Sequence, residues 1–271
     1  MVEMKNTPIG LMTFDPERAD VIGPPLDPPE APAAREIESD AAWQGLQLMV
    51  PDQSVSRDHR INLDVKGAFP PAWDELRTRT ALTMAQNHWR VLGVTSPTSG
   101  CGRTTVALNL ALGLSRQNNC RVVLVDLDLR KPGLAGLLQV KRSFPLADFL
   151  SGATRVQQSF VRVSKSLAVG CNTRPEDRAS ELLLDTGVPR ALAEIRRQLK
   201  PDIIVLDMAP MIGSDEVLAC LPLVDCVMLV AEAERTSFGE IDVCERELSE
   251  RSNLLGVVLN KCRHGPARYG F

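Results

Sequence analysis

From Val91 onward the chain alternates between two hydrophobic patterns. Short runs of consecutive apolar, β-rich residues recur at Val91–Thr95, Val122–Val125, Leu167–Val169, Ile203–Leu206, Val227–Val230 and Gly256–Leu259. Between them, Thr104–Gln117, Ala179–Leu184, Pro189–Leu199, Ser214–Leu221 and Phe238–Arg251 read as helices. Continuously apolar strands are those buried on both faces, and helical crossovers join strands that run the same way. The pattern predicts an α/β fold: a doubly wound, mainly parallel sheet with helices on both faces. Ligands in such sheets bind at the carboxyl ends of the strands.

The first seventy residues read differently. Ten of the nineteen prolines fall within residues 1–71, with few apolar clusters and no sustained period. Such a segment buries too little apolar surface to offset its ordering entropy, so a mostly disordered proline-rich arm is expected over residues 1–70. Within it, residues 41–49 place Trp43, Leu46 and Met49 on one side of a short helix. That helix reads either as transient or as a docking peptide. Pro70-Pro71 then opens a helix through Ala85, since proline suits a first turn. The expected organisation is the arm, a nucleotide-binding domain over 71–262, and a mobile tail over 263–271.

Composition narrows the partners. A net charge of −3 offers no general electrostatic case for nucleic acid. No uninterrupted apolar run approaches the ~18–20 residues of a membrane span, and the N-terminus lacks the apolar stretch of a signal peptide. Seven cysteines without a CxxC pair fit reduced thiols. A cytoplasmic protein is expected, peripheral at a membrane only through a partner.

The candidate chemistry lies at the strand ends. After the first strand comes Ser96-Pro97-Thr98-Ser99-Gly100-Cys101-Gly102-Arg103-Thr104-Thr105, which has the form of a phosphate-binding P-loop with Arg103 in the place of its lysine. Backbone N–H groups over Ser99–Thr105 would curl around phosphates, helped by the following helix N-terminus. The Thr104 hydroxyl is placed to reach a phosphate-bound Mg2+. Other strands end at Asp126 and Asp128, at Asp207, and at Asn260. A lone aspartate at a strand end is usually a helix cap or turn residue. Three of them behind a P-loop suit Mg2+ instead, and Asp126 or Asp128 could accept a proton from an attacking hydroxyl. Asp215 reads equally well as a simple cap.

On these residues the chain resembles the cytoplasmic kinase module of the bacterial tyrosine kinases that serve exopolysaccharide and capsule production. These are relatives of the partition and division-site ATPases with a deviant Walker A loop. The resemblance runs from about Trp73 to Lys261. It rests on Thr95-Ser96-Pro97, on Val125-Asp126-Leu127-Asp128-Leu129-Arg130-Lys131-Pro132, on Asp207 with Pro210, on Ser180-Glu181-Leu182-Leu183 and on Leu255–Asn260. It implies ATP with Mg2+, the metal near Thr104, Asp128 and Asp207, Asp126 and Asp128 as the catalytic acidic pair, and Asn260 near the adenine. It also implies a membrane-embedded chain-length or export protein as partner.

Several positions depart from the family pattern. Arg103 is a planar fork where a compact lysine charge is usual; it can bind phosphate bidentately, but transfer demands close positioning. In place of a terminal tyrosine cluster phosphorylated in trans there is one tyrosine in the whole chain, Tyr269. The Glu-x-x-Arg-x-x-Arg of subunit rings is reduced to Pro71, Asp74 and Arg77, so a ring is doubtful and a homo-oligomer stays open. Thr98 stands where partition-type ATPases carry a second lysine, which favours the polysaccharide branch. Two readings follow: a tyrosine autokinase acting on Tyr269, or a weakly or non-catalytic nucleotide-dependent regulatory subunit. A partition-type ATPase is a weaker third.

Overall fold

The computed structural model describes residues 10–12, 41–49, 61, 70–117, 120–140 and 146–263. Its core is a nine-stranded sheet in the order β1-β9-β8-β3-β7-β4-β6-β5-β2. The strands are β1 (Gly10–Met12), β2 (Gln47–Leu48), β3 (Val91–Thr95), β4 (Val122–Asp126), β5 (Phe160–Arg162), β6 (Leu167–Gly170), β7 (Ile203–Asp207), β8 (Cys226–Glu232) and β9 (Asn253–Asn260). The six strands β9-β8-β3-β7-β4-β6 all pair in parallel. Among the described residues, antiparallel pairing occurs only toward the margins, β1 on β9 and β5 on β6. Every residue of β3, β4, β6 and β7 is buried, as their continuous apolar runs require.

Helices cover both faces. α1 (Pro71–Gln86) packs on α2 (Arg103–Leu114), and α2 lies on the sheet with ten of its residues buried. Leu108, Leu110 and Leu112 of α2 share one core with Leu92 and Leu124 of the sheet. The opposite face carries α7 (Gly187–Leu199), whose Val188, Ala191, Leu192, Ile195 and Leu199 follow a helical stripe into the second core. Arg77 of α1 lays its aliphatic stem over Gly113, where an added Cβ would stand 3.6 Å from it, and pairs with Asp74 at 3.1 Å.

The proline-rich arm contributes ordered pieces to this body. Residues 41–44 form one helical turn, ended at Gly45, and the chain then runs into β2. The expected helix over 41–49 is therefore shortened to a turn, because Gln47 and Leu48 find a better backbone partner in β5. Trp43 and Leu46 are buried in the second core, and the Trp43 Nε1–H donates to the Lys165 carbonyl at 2.8 Å. Ile61 is buried as well. So the anchoring residues dock on this chain's own body. β5 was not expected from the sequence either. Among the described residues, no helix is long and apolar enough to cross a membrane.

Candidate functional site

The loop between β3 and α2 has the backbone of an anion cradle. Gly100 and Gly102 hold φ of 92° and 88°, left-handed values that a side chain resists. At Gly102 there is no room either: an added Cβ would come within 2.3 Å of Asn260 Nδ2. Gly102 is also the N-cap of α2 and supplies no side-chain cap, so the first amides of that helix are left for a ligand. Cys101 is buried and its thiol donates to the Thr98 carbonyl at 3.2 Å. Ser99 is exposed and Thr104 and Thr105 are half-buried at the helix start.

Two residues at the end of β9 brace this loop from outside. Asn260 Nδ2 donates to the Cys101 carbonyl at 2.9 Å. Lys261, left-handed at φ 60°, sends its ammonium to the Gly100 carbonyl at 2.7 Å and to Glu232 at 3.0 Å. The resemblance implies a place near the adenine for Asn260, whose side chain here holds loop backbone. Glu232 and the bracing role of Lys261 were not anticipated. The only available signal was that Lys261 follows Asn260 directly.

Arg103 is the departure that matters. The residue is only 8% exposed, with its side chain among the strand-end acids. Its guanidinium pairs with Asp128, and Nε donates to the Met208 carbonyl at 2.6 Å. Nε also lies 4.0 Å from Asp207 Oδ1.

The acids stand side by side. Asp126 and Asp207 are direct neighbours in register at the ends of β4 and β7, and both are fully buried. Asp126 Oδ2 accepts the Gly133 and Leu134 N–H groups at 3.0 Å each, starting the short helix α3 (Leu134–Leu137). Its other oxygen, and both oxygens of Asp207, have no hydrogen-bond partner. Burial pushes both carboxyls above the usual range. For Asp207 the charge of Asp126 adds to the rise, while Arg103 and the Thr104 hydroxyl oppose it. Asp128, in contrast, is satisfied by Arg103 and by the Lys131 N–H at 3.2 Å. Thr104 also packs against Gly133, where an added Cβ would stand 3.1 Å from its hydroxyl.

These residues do not fit Mg2+ as arranged. Thr104 and the bare carboxylate of Asp207 would suit a hard cation. Asp128 is already taken, and a guanidinium lies where the ion's charge would be needed. Beside them a cavity of about 150 Å³ opens between Ser99, Asp128, Lys131, Pro210 and Asp215. Asp215 stands at the N-terminus of helix α8 (Glu216–Cys220) without capping it, and instead accepts from Ser180 Oγ at 2.9 Å. Arg130 and Glu216 also line the cavity and pair with each other at 2.8 Å. Tyr269 lies outside the described residues.

Known proteins share sequence and fold with this chain. Residues 92–268 match the model of the CobQ/CobB/MinD/ParA nucleotide binding domain. The chain is 29% identical over 206 residues to the EpsB protein of Ralstonia solanacearum, covering 74% of this chain and 27% of that protein. It is 27% identical over 219 residues to the succinoglycan biosynthesis transport protein ExoP of Rhizobium meliloti, covering 78% and 27%. It therefore spans about a quarter of the length of these two relatives. Tyrosine-protein kinase CpsD of Streptococcus agalactiae is 24% identical over 196 residues, 71% of this chain and 84% of CpsD. Among solved structures, the VpsO kinase domain matches with a TM-score of 0.63 and 27% identity, covering 69% of this chain and 92% of that domain. The kinase domain of the Escherichia coli tyrosine kinase ETK gives 0.65 at 20% identity, over 84% and 94%, a likeness of fold alone.

Proposed function

Because the chain belongs to the CobQ/CobB/MinD/ParA nucleotide-binding domain family, we propose that it binds ATP at Ser99–Thr105 and acts in exopolysaccharide production or export as a nucleotide-dependent regulatory subunit, with phosphoryl transfer weak or absent. One observation carries this reading: Arg103, the residue in the position of the phosphate-binding lysine, is buried against Asp128 and Met208. A side chain so engaged is drawn away from the β- and γ-phosphates. It also neutralises Asp128, one of the two acids available as a proton acceptor. Phosphoryl transfer depends almost wholly on positioning and charge, and a displacement of about 1 Å in a reacting group can cost ~100-fold.

Nucleotide binding asks less. The left-handed glycines and the uncapped start of α2 offer backbone N–H groups whatever Arg103 does. Asn260 and Lys261 hold the loop rigid through its own carbonyls. The likeness to EpsB, ExoP and CpsD supports the setting in polysaccharide export, with a membrane-embedded chain-length or export protein as partner.

The second reading is a tyrosine autokinase that modifies Tyr269 in trans. The side-by-side placement of Asp126 and Asp207 beside the loop favours it, because Asp126 keeps one free oxygen for a proton. Calorimetry with ATP, followed by anti-phosphotyrosine detection in wild type, Tyr269→Phe and Arg103→Lys, separates the two. The regulatory reading expects heat of binding, little or no phosphotyrosine in wild type, and a gain in Arg103→Lys. Robust wild-type phosphorylation abolished by Tyr269→Phe would replace it with the kinase reading.

A further inference from the structure

We propose that Arg103 is a built-in cation that fills the acidic pocket in place of a divalent ion, so that this site takes a nucleotide without magnesium. The nucleotide half of this statement rests on the reading above; the metal half does not.

Three carboxylates, Asp126, Asp128 and Asp207, converge at the ends of two adjacent strands, and none is more than slightly exposed. Both oxygens of Asp207 and one of Asp126 lack any hydrogen bond. Buried carboxyls this bare either keep a proton or need a cation beside them to ionise. A cation is present and covalently attached. The guanidinium of Arg103 reaches in from the first residue of α2, pairs through Nη2 with Asp128 and donates from Nε to the Met208 carbonyl, and that same Nε lies 4.0 Å from Asp207.

The chemistry of the side chain makes this lasting. Arginine does not give up its proton in proteins, so the charge cannot be withdrawn by titration. A divalent ion bound at Asp207 would sit a few ångströms from a fixed positive charge in a water-poor pocket, where repulsion is weakly screened. Magnesium also demands near-octahedral ligands and keeps several waters, and the pocket offers it the Asp207 carboxylate, one oxygen of Asp126 and one hydroxyl. A lysine at the same position would be a flexible point charge able to move off toward phosphate. Arginine, held by a planar fork, stays.

The test uses the full chain and two probes. Mn2+ alone, titrated with its free signal followed by electron paramagnetic resonance, should not bind wild type but should bind Arg103→Ala at least about tenfold more tightly. ATP affinity by calorimetry should change less than about threefold in wild type when Mg2+ is replaced by EDTA, and at least about tenfold in Arg103→Lys. If Arg103→Ala does not fold, the neutral Arg103→Gln takes its place in the Mn2+ titration. Mn2+ binding by wild type as tight as by the variant overturns the proposal, as does a tenfold or larger loss of wild-type ATP affinity in EDTA. Absence of ATP binding in both buffers refutes the nucleotide reading, and the Mn2+ titration alone then decides whether Arg103 fills the pocket.

Discussion

Replacing Asp207 by asparagine should make the protein more stable above neutral pH, at the expense of the site. Asp126 and Asp207 adjoin each other on β4 and β7, and burial pushes both carboxyls to about 7. In an unfolded chain an aspartate titrates near ~4. Between those values the folded state retains protons that the unfolded state has released. The unfolded state then binds fewer protons than the native one, so stability falls as pH rises across this window and levels off above it. Each retained proton is worth roughly 1.4 kcal/mol per pH unit. Asp207→Asn removes one titrating group and relieves Asp126 of a neighbouring charge. Its stability should therefore decline less steeply than that of wild type, by about 1 kcal/mol per pH unit. By about pH 8 it should be ahead by about 2 kcal/mol, after allowance for an amide that also lacks partners. Urea unfolding followed by tryptophan fluorescence, from about pH 5 to about pH 8 under reducing conditions, measures this. Parallel stability–pH profiles for the two proteins would refute the reasoning, because they would mean that Asp207 is ionised in both states.

Two further variants probe features described above. Trp43→Ala should cost about 3–5 kcal/mol in urea unfolding, the range for emptying a buried aromatic site, since Trp43 is 3% exposed and bonded to the Lys165 carbonyl. A cost below about 1 kcal/mol would show that the 41–49 segment contributes little to the body. Gly102→Ala combines a φ of 88° with a Cβ placed 2.3 Å from Asn260 Nδ2, so it should lower stability by about 1–3 kcal/mol. It should also weaken ATP binding at least about tenfold in calorimetry, and unchanged affinity would dissociate the loop's shape from the ligand.

Much of this molecule was legible in its hydrophobic pattern, and the exceptions share a cause. The six parallel strands announced themselves because a strand buried on both faces is apolar throughout, as in Val122–Asp126 and Ile203–Asp207. β2 and β5 are two and three residues long, too short for any period to register. Their existence depends on partners distant in sequence, with Gln47 opposite Val161. In the arm the sequence places Trp43 and Leu46 on one side of a short helix, but so few apolar residues in a polar, proline-rich stretch do not say which surface they bury against. At the site, the loop and the three aspartates could be named from type and spacing. The direction of Arg103 could not, since a guanidinium can satisfy phosphate or carboxylate equally and only the packed strand ends show which is nearer. Lys261 was invisible for a similar reason: its two partners, Gly100 and Glu232, lie far from it in sequence.

The outermost strands at both margins of the sheet are short and come from the same stretch of chain. β1 pairs with β9 at one end of the strand order and β2 with β5 at the other. An open strand edge invites pairing with a second molecule, and proteins commonly guard against aggregation by covering it. Here the guard is supplied by residues ahead of Pro71, the first residue of the first long helix. A recombinant fragment trimmed to the nucleotide-binding body would retain its loop and acids yet bare β9 and β5 together. On this argument residues 10–12 and 47–48 of the proline-rich arm shield the domain that follows, and a fragment for crystallisation or binding studies keeps that protection only if it keeps them.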